Sequence, residues 1–108
     1  MTTTAVQLAT SLVVALGDLA ERLDDLAIPT TSVTINAATY AERPTIAVQV
    51  DGRDERGRAL VDAAGAALGL DVTDQRDATL YCRRGERTDA SPIPYRVDVY
   101  CAVAGPAL

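Results

Sequence analysis

Cys82 and Cys101 are the only thiols in this 108-residue chain, and no histidine accompanies them. Without imidazole there is no Ser–His or Cys–His nucleophile pair, no His-based proton transfer and no His metal site. All ten basic residues are Arg. The absence of Lys removes Schiff-base chemistry and the Walker-type phosphate loop. Matching the last two strands about their connecting loop puts Cys82 opposite Cys101. In that position they read as buried thiols behaving as small apolar side chains, the alternatives being a redox pair or half a metal site. Two Cys with neither His nor a second CxxC do not make a zinc site within one chain.

Three further clusters carry charge. Asp71, Asp74 and Asp77 recur every third residue, but the run lacks the glycine and terminal Glu of a calcium loop and reads as a solvated acidic turn. The stretch from Asp51 to Arg58 mixes signs evenly and reads as a salt-bridged entry to a helix. Arg83-Arg84-Gly85-Glu86-Arg87 is the one basic cluster. It reads as a solvated hairpin tip, with Arg84 and Arg87 as a secondary candidate for touching phosphate or an acidic partner. No metal and no cofactor are expected, and no residue is a candidate catalytic group.

These groups need a scaffold, and the composition bounds it. With 48% hydrophobic and 23% charged residues, the chain reads as one globular domain spanning residues 1–108. Phe and Trp are absent and the four aromatics are all Tyr, so Leu, Val and Ala must fill the core. A net charge of −5 argues against nucleic acid as a partner. The apolar run Ala5–Ala20 is interrupted by Gln7, Thr10, Ser11 and Asp18, and no basic segment precedes it. It is neither signal peptide nor membrane span, so a cytoplasmic setting with reduced thiols is expected. Arg without Lys, with abundant Ala, Val, Asp and Thr and one Asn, matches the codon bias of a GC-rich genome.

The chain writes helix-strand-strand twice. Ala5, Ala9, Leu12, Leu16, Leu19, Leu23 and Leu26 recur at steps of four and three, one stripe of a helix that Thr2–Thr4 can cap and Pro29 closes. Val33, Ile35 and Ala37 alternate with polar residues as a strand. Tyr40–Arg43 turn the chain, and Ile46, Val48 and Val50 point inward from the next strand. Asp54 can cap a second helix with Leu60, Ala64, Ala67 and Leu68 inward, closed by Gly69 and Leu70. Residues 71–78 are too polar for a central strand and form an edge strand or a loop. Thr79–Arg83 and Tyr95–Val103 make the last hairpin. Leu80, Cys82, Val97, Val99, Cys101 and Val103 point inward there.

The order αββαββ is that of a ferredoxin-like sheet with its first strand moved to the end. An α+β two-layer sandwich is therefore expected. It has four strands in the order 3-4-2-1, antiparallel or mixed, and both helices on one face. The runs Arg43-Pro44-Thr45-Ile46-Ala47-Val48-Gln49-Val50-Asp51, Ala66-Ala67-Leu68-Gly69-Leu70 and Tyr95-Arg96-Val97-Asp98-Val99-Tyr100 carry a resemblance. The chain resembles small uncharacterised proteins of actinobacteria, their phages and integrative elements, a likeness that implies no activity.

The other sheet face is expected to be open, with Tyr81, Arg83, Arg96, Asp98 and Tyr100 forming a partner-binding centre, because Tyr and Arg are enriched at interfaces. The functional expectation is a non-enzymatic protein-binding or self-assembling module. It would be homo-oligomeric, encoded by a phage or mobile element, and would bind neither nucleic acid nor membrane. The alternative is a small enzyme or ligand-binding domain using Asp and Arg at a dimer cleft.

Overall fold

Thr4 opens the first helix, α1 (Ala5–Asp25), with a capping box. Its hydroxyl accepts from the Gln7 N–H at 3.2 Å, and its own N–H donates to Gln7 Oε1 at 2.9 Å. The computed structural model describes residues 4–37, 44–77, 79–88 and 94–103. The turn expected at Tyr40–Arg43, and the contributions of Thr2 and Thr3 to the cap, lie outside the described residues.

The buried line of α1 is Leu8, Leu12, Ala15, Leu19 and Leu23. The expected stripe is turned slightly about the axis: Ala9 and Leu16 flank the line, while Ala5 and Leu26 are exposed. The helix also ends differently from expectation. Ala27 takes a left-handed φ of 53°, and the Ile28 N–H bonds Leu23 O at 3.0 Å while the Ala27 N–H bonds Asp24 O at 2.9 Å. This is a Schellman motif with Ile28 buried beneath it, complete before Pro29 is reached.

Five strands follow: β1 (Thr30–Asn36), β2 (Thr45–Arg53), β3 (Val72–Asp77), β4 (Leu80–Arg87) and β5 (Tyr95–Ala102). They form one open mixed sheet in the order β1-β2-β5-β4-β3, with β2 and β5 parallel and the other neighbours antiparallel. The four expected strands thus keep their expected neighbours, and the sheet gains an edge strand, β3. The polar stretch 72–77 is a strand because an edge position needs pairing on one side only. The basic cluster is not a hairpin tip, since β4 runs on to Arg87.

The second helix, α2 (Asp54–Leu68), packs on β2, β5 and β4. Its N-cap is the extended Arg53, not Asp54, and no side chain bonds the cap. Asp54 and Glu55 instead place carboxylates in the first turn, where the helix dipole favours them. At the other end Gly69 takes φ 72° and Leu70 is fully buried, as the sequence predicts. The inward face differs in detail. Gly57, Val61, Ala64, Gly65 and Leu68 are buried, while Ala67 is exposed and Leu60 only partly covered. At Gly57 a Cβ would stand 2.8 Å from Cys101 Sγ, so this glycine lets α2 settle onto β5.

Both helices bury their stripes in one cluster with Ile46, Val48, Val50, Val97, Val99 and Cys101, residues that share one face of the sheet by register. Tyr95 is the largest fully buried side chain, supplying bulk that a core without Phe or Trp otherwise lacks. Among the described residues no helix packs on the opposite face.

Candidate functional site

The pairing of β4 with β5 decides which side chains the open face carries. Tyr81 stands opposite Cys101 and Cys82 opposite Tyr100. The expected partnership of Cys82 with Cys101 is therefore one residue out of register. Because strand side chains alternate with period two, that single step turns every β4 side chain to the other face. Leu80 and Cys82, expected inside, belong to the helix-free face. Tyr81 and Arg83, expected on the open face, lie under α2.

Their contacts explain the choice of register. The Tyr81 hydroxyl donates to Asp62 Oδ1 at 2.6 Å, and the Arg58 guanidinium lies 5.6 Å from the Tyr81 ring centre. Arg83 donates through Nε to Leu70 O at 3.0 Å and through Nη1 to Asp62 O at 3.1 Å. Arg87, from the secondary candidate pair, also turns toward the helices. Its Nη1 donates to Leu68 O at 2.7 Å, and Nη2 stands 3.8 Å from Asp18 Oδ2 on α1. The last turn of α2 contains no basic residue. β4 supplies the missing cations, satisfying carbonyls that a helix end leaves over and complementing its dipole. Tyr81, Arg83 and Arg87 are thus a latch between β4 and the helices.

Three of the five predicted centre residues remain together on the helix-free face: Arg96, Asp98 and Tyr100, at alternate positions of β5. Arg84 joins them there, opposite Asp98. A concave depression of about 330 Å3 opens on this face, lined by Thr34, Ala47, Leu80, Cys82, Asp98 and Tyr100. Its floor is β5, the central strand of the sheet. Leu80 and Cys82 form one wall and Thr34 and Ala47 the other.

Asp98 is only 8% exposed. Its Oδ2 accepts from Arg96 Nη2 at 3.1 Å, whereas its Oδ1, buried as well, has no hydrogen-bond partner among the described residues, and neither has Arg96 Nε. A buried carboxylate oxygen without a donor costs free energy that a ligand's N–H or O–H group would recover. Oδ1 is closed off from solvent as it stands, so it can accept a hydrogen bond from a guest only when the Asp98 side chain turns toward the depression, where Tyr100 and Leu80 supply apolar contact.

Both cysteines are thiols. Cys101 is buried against α2, and burial pushes its pKa above the ordinary value, while Cys82 is partly accessible. Pointing to opposite faces from neighbouring strands, they are not placed to join. Among the described residues no three His, Cys, Asp or Glu side chains converge as a metal site, and no helix is long and apolar enough to cross a membrane. β3 replaces the expected acidic turn at Asp71–Asp77, with Asp71 exposed just before it.

Sequence reasoning turned Leu80 and Cys82 inward and so missed them as lining residues. One available signal was the absence of basic residues at the end of α2, which calls for Arg donors from a neighbouring strand. Comparison with known proteins found no matching family model, curated protein or solved structure. The class defined by the structure alone is an α+β domain with two helices and an open five-stranded mixed sheet.

Proposed function

We propose that this chain is a non-enzymatic protein-binding module that receives its partner on the helix-free face of the sheet. The observation that carries the reading is the depression on β5, where the buried Asp98 Oδ1 lacks a donor among the described residues, beside the exposed part of Tyr100. A partner side chain ending in N–H groups (Lys, Arg, Asn or Gln) would satisfy that oxygen once the Asp98 side chain turns it into the depression, while the partner's stem packs against Leu80 and Tyr100. Tyr is suited to such a centre, since its ring is large and rigid and loses little entropy on binding. The scaffold is read as the permuted ferredoxin-like arrangement with β3 added at one edge.

The test is a pair of baits, Tyr100→Ala and Asp98→Asn, compared with the wild-type chain for capture of proteins from the natural host, with circular dichroism confirming the fold. A partner held by the wild type and lost by both variants supports the reading. A partner that stays bound to both overturns it.

A second reading is favoured by the size of the depression. About 330 Å3 lies at the lower end of small-molecule pockets. A small amine or amide would make the same contact with Asp98. It would be recognised by chemical shifts confined to Thr34, Ala47, Leu80, Asp98 and Tyr100 when the chain is titrated with such compounds.

A further inference from the structure

We propose that β1 is the dimer edge of this protein. Two copies join their β1 strands antiparallel about a twofold axis near Val33, and the outer flanks of their α1 helices meet above that seam. Three separate features of one side of the molecule support this.

The first is the strand itself. β1 is an edge of the sheet and reads Thr-Thr-Ser-Val-Thr-Ile-Asn: β-branched residues, no charge, no Pro. An edge strand offers unpaired N–H and C=O groups to any other chain, and proteins blunt such edges with charged residues, Pro or bulges. Here the only irregularity lies between Thr30 and Ser32, and Ser32–Asn36 is regular. The opposite edge strand, β3, reads Val-Thr-Asp-Gln-Arg-Asp, so its sequence carries the charge that β1 lacks.

The second is Val33. It shares the helix side of the sheet with Val48, yet it is 44% exposed. A twofold at this residue places Val33 against its own copy, with Ser32 opposite Thr34 on the other face. Every cross-strand pair is then apolar or hydroxyl-bearing, and none sets like charges together.

The third is α1. Asp18, which approaches Arg87 of β4, lies on one flank of the buried line. Val6, Val13 and Ala20 lie on the other, with Gly17 toward the back of the helix and Asp24 closing the flank at its C-terminal end, facing away from β4 toward the side where β1 is outermost. Val13 is 58% exposed and Val6 more so. The chain carries ten Arg and fifteen Asp or Glu, yet none falls between Ala5 and Gly17 or within β1. In an acidic protein the N-terminal part of this flank, ahead of Asp24, and β1 are where two copies meet without like charges between them. Gly17 lies beside this flank on the outer side of the helix. A mid-helix glycine weakens a helix, and a Cβ here would meet nothing within 4 Å among the described residues, so their packing gives it no reason to be small. A second helix approaching closely does.

Strand pairing alone covers less surface than the roughly 1,200 Å2 of a specific interface, and the α1 flank supplies the additional apolar area. The twofold runs perpendicular to the sheet, so both depressions face the same way from a continuous ten-stranded surface. The dimer presents two partner sites side by side, and a repeating partner gains avidity from that geometry.

Light scattering after size exclusion tests the proposal on the full chain. Twice the 11.3 kDa chain mass is expected for the wild type. Val33→Lys and Val33→Glu, with like charges meeting at the twofold, should each give monomers, and mixing the two should restore the dimer mass. Val13→Glu should also dissociate it, whereas Val72→Lys on the β3 edge should not. Circular dichroism confirms that each variant folds. A wild type that is monomeric up to about millimolar concentration overturns the proposal. So does a dimer that survives both Val33 variants, or one dissociated by Val72→Lys. Tyr100→Ala leaves this dimer intact, so loss of partner binding and loss of dimerisation report on separate surfaces.

Discussion

The Arg83 side chain crosses α2 at Gly65, so close that a Cβ on the glycine would stand 2.6 Å from Nε and 2.8 Å from Cδ. The mid-helix glycine therefore serves a particular neighbour.

The consequence is a sign change that a double-mutant cycle can read. Gly to Ala in a helix interior is normally worth about 1 kcal/mol of stability. With Arg83 present, Gly65→Ala must push the guanidinium off Leu70 O and Asp62 O, and a net loss of about 1–2 kcal/mol is expected. In an Arg83→Ala background the same substitution should stabilise by about 1 kcal/mol. Urea melts of the four proteins measure both. The same sign in both backgrounds would mean that Arg83 does not lie against Gly65.

The orientation of α1 gives a second pair. Leu19 is fully buried in the line, whereas Leu26, at the end of the periodic leucines, is 45% exposed. Leu19→Ala should cost about 2–5 kcal/mol and Leu26→Ala under about 1 kcal/mol. Equal losses would turn the helix back to the stripe read from the leucines alone.

These two helices show what was legible in the sequence. The repeat of helix, strand and strand and the Gly69–Leu70 stop follow from periodicity and turn chemistry, which are local, and the pairing of β2 beside β5 follows from the order of the elements and a right-handed crossover. The register of β4 does not. Leu80, Tyr81, Cys82 and Arg83 present apolar bodies on both faces, so alternation alone favours burying Leu80 and Cys82. The deciding requirement is at the end of another element. The carbonyls at Leu68 and Leu70 need donors, and long Arg side chains reach them while their stems pack below α2. β3 escaped for a related reason, since its polarity excludes a centre but not an edge. The candidate site was half legible: Arg96, Asp98 and Tyr100 stay together because β5 is read correctly, and Tyr81 and Arg83 leave with the register of β4.

That register makes the two thiols unequal. Cys82 is partly accessible on the helix-free face and Cys101 is buried beside Gly57 with its pKa raised by burial. In the native protein a thiol reagent should modify Cys82 first, with Cys101 reacting only as the chain unfolds. Mild oxidation should give no intrachain disulfide. Mass spectrometry of the labelled peptides checks both, and rapid labelling of Cys101 in the folded state would contradict the assigned faces.

The Schellman turn after α1 places an alanine where φ is 53°. An L-residue with a Cβ pays about 1–2 kcal/mol in that region, and glycine does not. Ala27 is exposed, so no packing is lost on replacement. Ala27→Gly should raise stability by about 0.5–1 kcal/mol despite the greater freedom of glycine in the unfolded chain. A thermal melt shows it as a rise of a few degrees. Destabilisation would mean that Ala27 is not left-handed in the folded protein.

Tyr81 ties stability to pH at the alkaline end. The hydrogen bond to Asp62 raises its pKa above the ordinary value of 10.0, with burial and the Asp62 charge adding to the effect and Arg83 opposing it. The folded chain therefore holds the phenol proton more tightly than the unfolded chain. That stabilisation is fully present below pH 10. As pH rises past 10 the unfolded state loses its proton first, and stability falls until the folded pKa is passed. Tyr81→Phe lacks both the bond and the titration. Near pH 7 it should be less stable than the wild type by about 0.5–1 kcal/mol, since Asp62 is half exposed and solvent weakens the contact. The gap should narrow as pH climbs beyond 10. Cys101, whose pKa burial raises, is present in both proteins, so its own dependence on pH enters both curves. Denaturant melts in steps from neutral to strongly alkaline pH follow the gap directly. A constant difference across that range would show that the Tyr81 hydroxyl is not held by Asp62.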